Sequence, residues 1–179
     1  MFNIQEQEQQ DNQVDIIDPN NNKRGEGGMK LENIFPENQI KSLVYQGVKV
    51  NLGGPESRTG VLLAVGDDYL VLQGNTGEVI YYQQKHVKGV VKKAKEIGLN
   101  PYFIEQSYAD GATFQEILGS LKYKWVKINR GGPESVEGLL SDVNEEYVTL
   151  VNRDEVIYVI NFHIKNVNQI VKTNKDEEE

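Results

Sequence analysis

The sequence predicts a mostly β protein built as two tandem small β-barrels, each preceded by a short α-helix, between disordered tails. Three observations predict it. "GGPESRTGVLLAVGDDYLVL" at 53–72 returns as "GGPESVEGLLSDVNEEYVTL" at 131–150, and self-similarity at a fixed offset marks a duplicated structural unit. Val48, Val50 and Leu52 alternate with Lys49 and Asn51, and Leu70 and Leu72 alternate with Tyr69 and Val71, the period of two expected of strands with one buried face. Gly60 and Gly138 fall inside the second strand of each copy, where a missing side chain marks the bulge or bend that a small sheet needs to close on itself.

Residues 1–33 form an acidic arm rich in Gln and Asn. They have neither helical nor strand periodicity and too little apolar content to pack, so disorder is expected. The trio Val14, Ile16 and Ile17 reads as unpaired apolar residues within it.

The first repeat occupies 34–95. Pro36 suits the opening turn of a helix whose apolar stripe is Ile40, Leu43 and Val44. The first strand then reverses at Gly53, Gly54, Pro55, Glu56 and Ser57, because glycine admits positive φ and proline presets φ near −65°. "GDDY" makes the next turn, and a fourth strand follows at Val79, Ile80, Tyr81 and Tyr82. His86 and the last strand, 87–91, complete the unit.

A linker spans 96–112, longer than common connections, and its Tyr102, Phe103 and Ile104 are expected to pack at the junction between the units. The second repeat spans 113–172. Thr113 and Glu116 have capping-box spacing, with Phe114, Ile117, Leu118 and Leu121 on one helical face. The turn recurs as Gly131, Gly132, Pro133, Glu134 and Ser135, and the lone histidine recurs as His163. A one-residue slip between the copies falls in the Gly74–Gly77 hairpin, where a gap does least damage. Residues 173–179 form an acidic tail.

Composition narrows the function. With 19 Lys and Arg against 27 Asp and Glu, the formal charge is −8, which opposes a phosphate backbone as partner and makes nucleic acid an unfavoured one. The chain contains no cysteine, excluding disulfides, thiolate chemistry and Cys-ligated zinc. No stretch approaches the ~18 apolar residues of a membrane span, so synthesis in a cytoplasm and no membrane partner are expected.

The candidate reactive groups read as structural. "GGPES" lacks the Lys-Ser/Thr ending of a phosphate loop, and Pro55 and Pro133 remove a backbone donor that a phosphate would need. Glu56-Ser57 and Glu134-Ser135 read as loop groups that bond nearby backbone. His86 and His163 occupy the same place in each copy, without the partners a metal site requires. Their expected role is a repeated hydrogen bond at the turn into the last strand. No catalytic, cofactor-binding or metal-ligating residue is expected, and the protein reads as a non-enzyme.

The phrasing "VYQGVKVNLGG…GVLLAV…YLVL…VIYYQQKHVKGV" resembles the Sm-like, SH3-like small barrel of the Hfq-type bacterial RNA chaperones, with a helix, five bent strands and a Lys-His pair. Lys85-His86 matches that pair, whereas the second copy has Phe162-His163. A more specific resemblance is carried by "GGPES", "GDDYLVL", "VIYYQQKHVK", "KWVKINRGGPESVEGLL" and "FHIK". Together they resemble the spore coat protein B (CotB) family of endospore-forming bacilli, over about residues 38 to 171. That resemblance implies a structural component of the spore's outer layers, made in the mother cell and placed on the forespore, with other coat proteins as partners. Longer members carry a further repeat and a Ser/Lys/Arg-rich tail phosphorylated by a coat kinase. Neither is found in this sequence, so dependence on that kinase is not expected.

Small open barrels leave unpaired strand edges that recruit neighbours, and two in one chain give a covalent pair with a free edge at each end. The expectation is that 87–91 pairs with 156–159 inside the chain. Two edges then remain for self-assembly or other coat proteins: Val79, Ile80, Tyr81 and Tyr82 in one repeat, and Ile164, Val167 and Ile170 in the other. Two other readings compete. One is RNA binding through Lys85, His86 and Lys88 with Tyr81 and Tyr82 as stacking partners; the other is a cytoplasmic adaptor domain.

Overall fold

The computed structural model describes residues 37–92 and 107–170. The arm at 1–33, the tail at 173–179 and the Tyr102-Phe103-Ile104 cluster lie outside the described residues. Both described stretches belong to one compact unit, Leu31–Glu179.

The chain is mostly β. In the first repeat α1 (Glu37–Lys41) precedes β1 (Gly47–Val50), β2 (Arg58–Val65), β3 (Tyr69–Gly74), β4 (Val79–Gln83), a 3-10 turn (Gln84–His86) and β5 (Val90–Lys92). In the second, α2 (Phe114–Ser120) precedes β6 (Trp125–Ile128), β7 (Val136–Val143), β8 (Tyr147–Asn152), β9 (Glu155–Ile160), a 3-10 turn (Asn161–His163) and β10 (Asn166–Gln169). All ten strands join in one open antiparallel sheet, ordered β5-β1-β2-β3-β4-β10-β6-β7-β8-β9. Each repeat therefore contributes the same run, its last strand followed by its first, second, third and fourth.

Equivalent residues produce equivalent local structure. The register of β2 on β3 shifts between Leu62 and Ala64, and that of β7 on β8 between Leu140 and Asp142, so both second strands bulge at the same place. The two strand glycines have a different immediate cause. A Cβ on Gly60 would sit 2.0 Å from the Gln73 carbonyl oxygen, and one on Gly138 would sit 2.8 Å from that of Val151. The neighbouring strand passes too close for any side chain, and the bulge follows a few residues later.

Asn51 and Asn129 end the first strands with positive φ, 64° and 54°, a conformation that asparagine tolerates better than most residues. Each is buried, and its side-chain oxygen accepts the N–H of Lys88 or Lys165, at 2.9 and 2.8 Å. One residue type thus ties the first strand to the start of the last strand in both copies.

At the head of α2, Thr113 Oγ1 accepts the Glu116 N–H at 3.3 Å, as the capping-box spacing predicts. The reciprocal carboxylate reaches back to the Ala112 N–H, one residue before the cap, at 2.8 Å.

The apolar residues form two clusters. Val48, Val50, Leu62, Leu70, Leu72, Ile80 and Tyr82 pack with Ile40 of α1 inside the first repeat. The larger cluster holds the interior of the second repeat, the apolar face of α2, and Val61, Leu63, Tyr69, Val71 and Tyr81 from the opposite face of the first repeat's strands. β3 is consequently buried on both faces along its whole length, while β8 alternates. Burial on two faces produces near-continuous apolar sequence, and burial on one produces alternation.

A candidate assembly interface

The two repeats join by the fourth strand of the first and the last strand of the second. Tyr82 lies opposite Asn166, Tyr81 opposite Val167 and Ile80 opposite Asn168, and the Gln83 N–H extends the ladder to the Lys165 carbonyl at 3.0 Å. This reverses the expected arrangement. The pairing expected inside the chain, 87–91 with 156–159, is not made. The edges expected to be free, Val79 to Tyr82 and the strand containing Val167, are spent on each other. Ile164 is wholly buried, and Ile170 donates its N–H to the Trp125 carbonyl at 2.8 Å. The physical reason is the α2 face. Docking β10 on β4 carries α2 onto the outer surface of β2–β4 and buries Val61, Leu63, Tyr69, Val71 and Tyr81.

Polar groups fix the junction's geometry. The Tyr69 hydroxyl donates to the Gly111 carbonyl at 2.6 Å, and the Tyr81 hydroxyl accepts the Ala109 N–H at 2.7 Å. The Asp68 carboxylate accepts the Phe114 N–H at 2.6 Å, fastening the first turn of α2 to the other repeat. The end of the linker, 107–112, is thereby stitched to β3 and β4.

The repeated turns meet each other. Gly131 has φ of +91°, and a Cβ there would lie 2.0 Å from the Pro55 carbonyl oxygen. Lys165 Nζ bridges Glu56 at 2.9 Å and Glu134 at 3.3 Å, one acid from each turn, and those contacts hold its pKa above the usual lysine value, the Glu56 hydrogen bond most of all. Arg130 pairs with Glu78 at 3.2 Å. Burial works to raise the Glu78 pKa, but the Thr76 hydroxyl, backbone N–H groups and Arg130 together hold it below the ordinary carboxylate value. Ser57 Oγ donates to the Asn51 carbonyl at 3.1 Å, as a loop hydroxyl is expected to, whereas the buried Ser135 Oγ has no hydrogen-bond partner among the described residues, against the same expectation.

The two histidines differ. His86 Nε2 donates to the Phe162 carbonyl across the junction at 2.7 Å, while Lys85 lies over the Phe162 ring at 4.7 Å. Burial lowers the His86 pKa, and Lys85 and Lys165 lower it further. The bond to the Phe162 carbonyl works the other way, raising the pKa, and is outweighed. His163 stacks edge-on to Phe162 with ring centroids 5.3 Å apart, and its ring is exposed.

The opposite end of the sheet carries the same surface uncovered. On β9, Val156, Tyr158 and Ile160 are 54 %, 66 % and 57 % exposed, and Phe162 beyond them is exposed as well. Tyr158 corresponds to Tyr81, which is 3 % exposed, and Leu139 corresponds to the buried Val61. Tyr147 and Tyr158 meet edge to face at 5.6 Å and form the centre of the bare patch. No described strand pairs with the outer edge of β9, and none with that of β5, where Val91 and the neighbouring Leu52 are exposed. Sequence reasoning missed Phe162, Lys165 and Arg130. Phe162 and Arg130 stand where the first repeat has Lys85 and Leu52, so departures from the repeat carried the signal. Among the described residues, no group of three or more His, Asp or Glu is placed to hold a metal ion.

The chain is a mostly β tandem-repeat protein, made of two copies of one five-stranded run, with one copy's outer face covered and the other's bare. Among known proteins it is similar to spore coat protein B of Bacillus subtilis (strain 168), 38 % identical over 131 residues. The match covers 72 % of this chain and 33 % of that protein, so the chain spans about a third of the relative's length. The similarity supports a spore-coat-protein-B-like family for the chain. No protein-family profile and no solved structure matches it.

Proposed function

We propose that the protein is a structural component of the bacterial spore coat, made in the mother cell, and that it works as a protein–protein assembly module through its strand edges. Each half is read as an Sm-like small barrel opened along one side, a reading supported by the shared strand order and the paired bulges. The observation that carries the assembly reading is the unpaired β9 edge, lined by exposed Val156, Tyr158 and Ile160. A long apolar edge strand left in water templates pairing with another chain, and a contiguous exposed apolar patch of this kind marks an interaction surface.

The protein is read as a non-enzyme without cofactor. The histidines serve the junction or lie beside it, and the turn acids engage Lys165. RNA binding through Tyr81 and Tyr82 loses its platform, because both rings are buried; stacking on bases needs exposed rings.

The test is fractionation. A fluorescent fusion of the full chain, followed through sporulation, is expected in the mother cell and then around the forespore, and to remain with purified spores after washing. Recovery only from vegetative cytosol would refute the coat role.

A further inference from the structure

The internal junction is a contact between a donor end, comprising the last strand, its preceding turn and the helix, and an acceptor end, the fourth strand and its outer face. The first repeat's donor end and the second repeat's acceptor end have no such partner among the described residues. We infer that the occupant of the bare β9 face is a second copy of this chain, whose β5 pairs antiparallel with β9 in the register that β10 adopts on β4. This rests on the assembly reading above and names its partner.

The backbone permits it. Applied to the equivalent residues, the register sets Gly89 against Val159, Val90 against Tyr158 and Val91 against Ile157. The Asn161 N–H bonds the Glu146 carbonyl, so by the alternation of antiparallel strands Val159 and Ile157 face β8 while Tyr158 and Ile160 point their N–H groups outward. On the other side, the Asn51 N–H bonds the Gly89 carbonyl, which leaves Val90 and Lys92 pointing outward from β5. The two free edges therefore present the groups that antiparallel pairing needs, at the positions where the internal junction uses them.

The side chains match in three places. The Lys165–Glu56 pair becomes Lys88 of one copy with Glu134 of the other; Lys88 is exposed, and Glu134 has a side chain 67 % exposed, with its nearest cation at 3.3 Å. The bond from His86 to the Phe162 carbonyl becomes one from the exposed His163 to the Lys85 carbonyl. Lys85 and Phe162, which meet at the internal junction, meet again with donor and acceptor ends exchanged. Two contacts do not carry over. Leu52 and Glu155 stand where Arg130 and Glu78 pair, and Pro36 and Gln39 stand where α2 has Phe114 and Ile117. The contact between copies therefore lacks an ion pair and much of the helix's apolar face. It is weaker than the junction inside the chain and reversible with concentration. Because each copy offers one donor and one acceptor, the product is a head-to-tail chain, or a ring if the rotation closes.

Sedimentation and light scattering of the full chain over a range of concentrations test this. The expected result is a mass that rises with concentration. Tyr158→Pro blocks the acceptor and Val90→Pro the donor, each at an outward N–H where proline breaks no ladder bond within the chain. Each variant, with unchanged circular dichroism, is expected to stay monomeric alone, and their mixture is expected to stop at a heterodimer. Lys88→Glu is expected to weaken association at least tenfold, and adding Glu134→Lys in the same chain is expected to recover much of it. A monodisperse monomer at every concentration, or oligomers indifferent to both prolines, overturns the inference. A monomer that still remains with washed spores overturns the copy-to-copy contact and leaves the coat reading standing; oligomers absent from spores do the reverse.

Discussion

Tyr81 and Tyr158 occupy the same place in the two repeats, on the outer face of the fourth strand, and have opposite surroundings. The first is buried beneath the end of the linker and α2, and its hydroxyl accepts the Ala109 N–H. The second stands in water beside Tyr147. The repeat motif therefore does not determine whether the face is core or surface; what docks on it does. The first repeat's face is completed by the second repeat, and the second's would be completed by whatever follows. The pairing expected inside the chain, last strand of the first repeat with fourth strand of the second, is not made, and those two strands are the outer strands of the sheet.

Breaking the covered face has the largest expected effect. Tyr81→Ala removes a buried aromatic side chain and orphans the Ala109 N–H, and is expected to cost about 3–5 kcal/mol in urea unfolding. Tyr158→Ala, measured at a concentration where the chain is monomeric, is expected to cost less than about 0.5 kcal/mol. Equal costs would mean that the two faces are equally covered in solution.

Next come the strand glycines. Alanine at position 60 pushes a methyl to 2.0 Å from the Gln73 carbonyl oxygen, and alanine at position 138 to 2.8 Å from that of Val151. Overpacking of this kind costs about 1–3 kcal/mol, and the larger value is expected for Gly60→Ala because its strands must part further. Thermal unfolding of the two variants gives the ranking directly.

Much of this architecture was legible in the chain, because period-two alternation and duplicated turns report on local structure. Thr113 and Glu116 announced the helix start, and the copies of "GGPES" announced two turns. The order in which the repeats join was not legible. Val79 to Tyr82 and Ile164 to Val171 are both apolar runs, and an apolar strand edge reads the same whether it will pair inside the chain or outside it. The deciding quantity is the fit of α2 against β2–β4, a tertiary contact between residues about 50 positions apart. One sign of it was present. Leu63 and Val71 are apolar where the second copy has Ser141 and Thr149, the difference expected when only the first copy's outer face is buried.

The histidine at the junction gives a pH signature. Burial holds the His86 pKa below 6.5, so the unfolded chain takes up a proton before the folded one does. The contribution of His86 to stability is constant above about pH 6.5 and falls as pH drops through that value toward the folded pKa. Glu78, whose pKa is lowered in the fold, adds a second loss only below about pH 4.5. His86→Gln keeps a donor for the Phe162 carbonyl and is expected to remove the upper step and leave the lower one. An unaltered profile between pH 6.5 and 4.5 would mean that the imidazole proton is not coupled to the junction.

The smallest expected effect separates the two acids on Lys165. Glu56 has a side chain 17 % exposed and Glu134 one 67 % exposed, and an ion pair weakens as water and salt reach it. Glu56→Gln is expected to cost about 0.5–1 kcal/mol at low salt, shrinking in ~1 M NaCl, and Glu134→Gln close to nothing in the monomer. If Glu134→Gln leaves unfolding unchanged yet weakens association, the acid's energetic role lies between copies. The second "GGPES" would then do for a neighbouring molecule what the first does for its own chain.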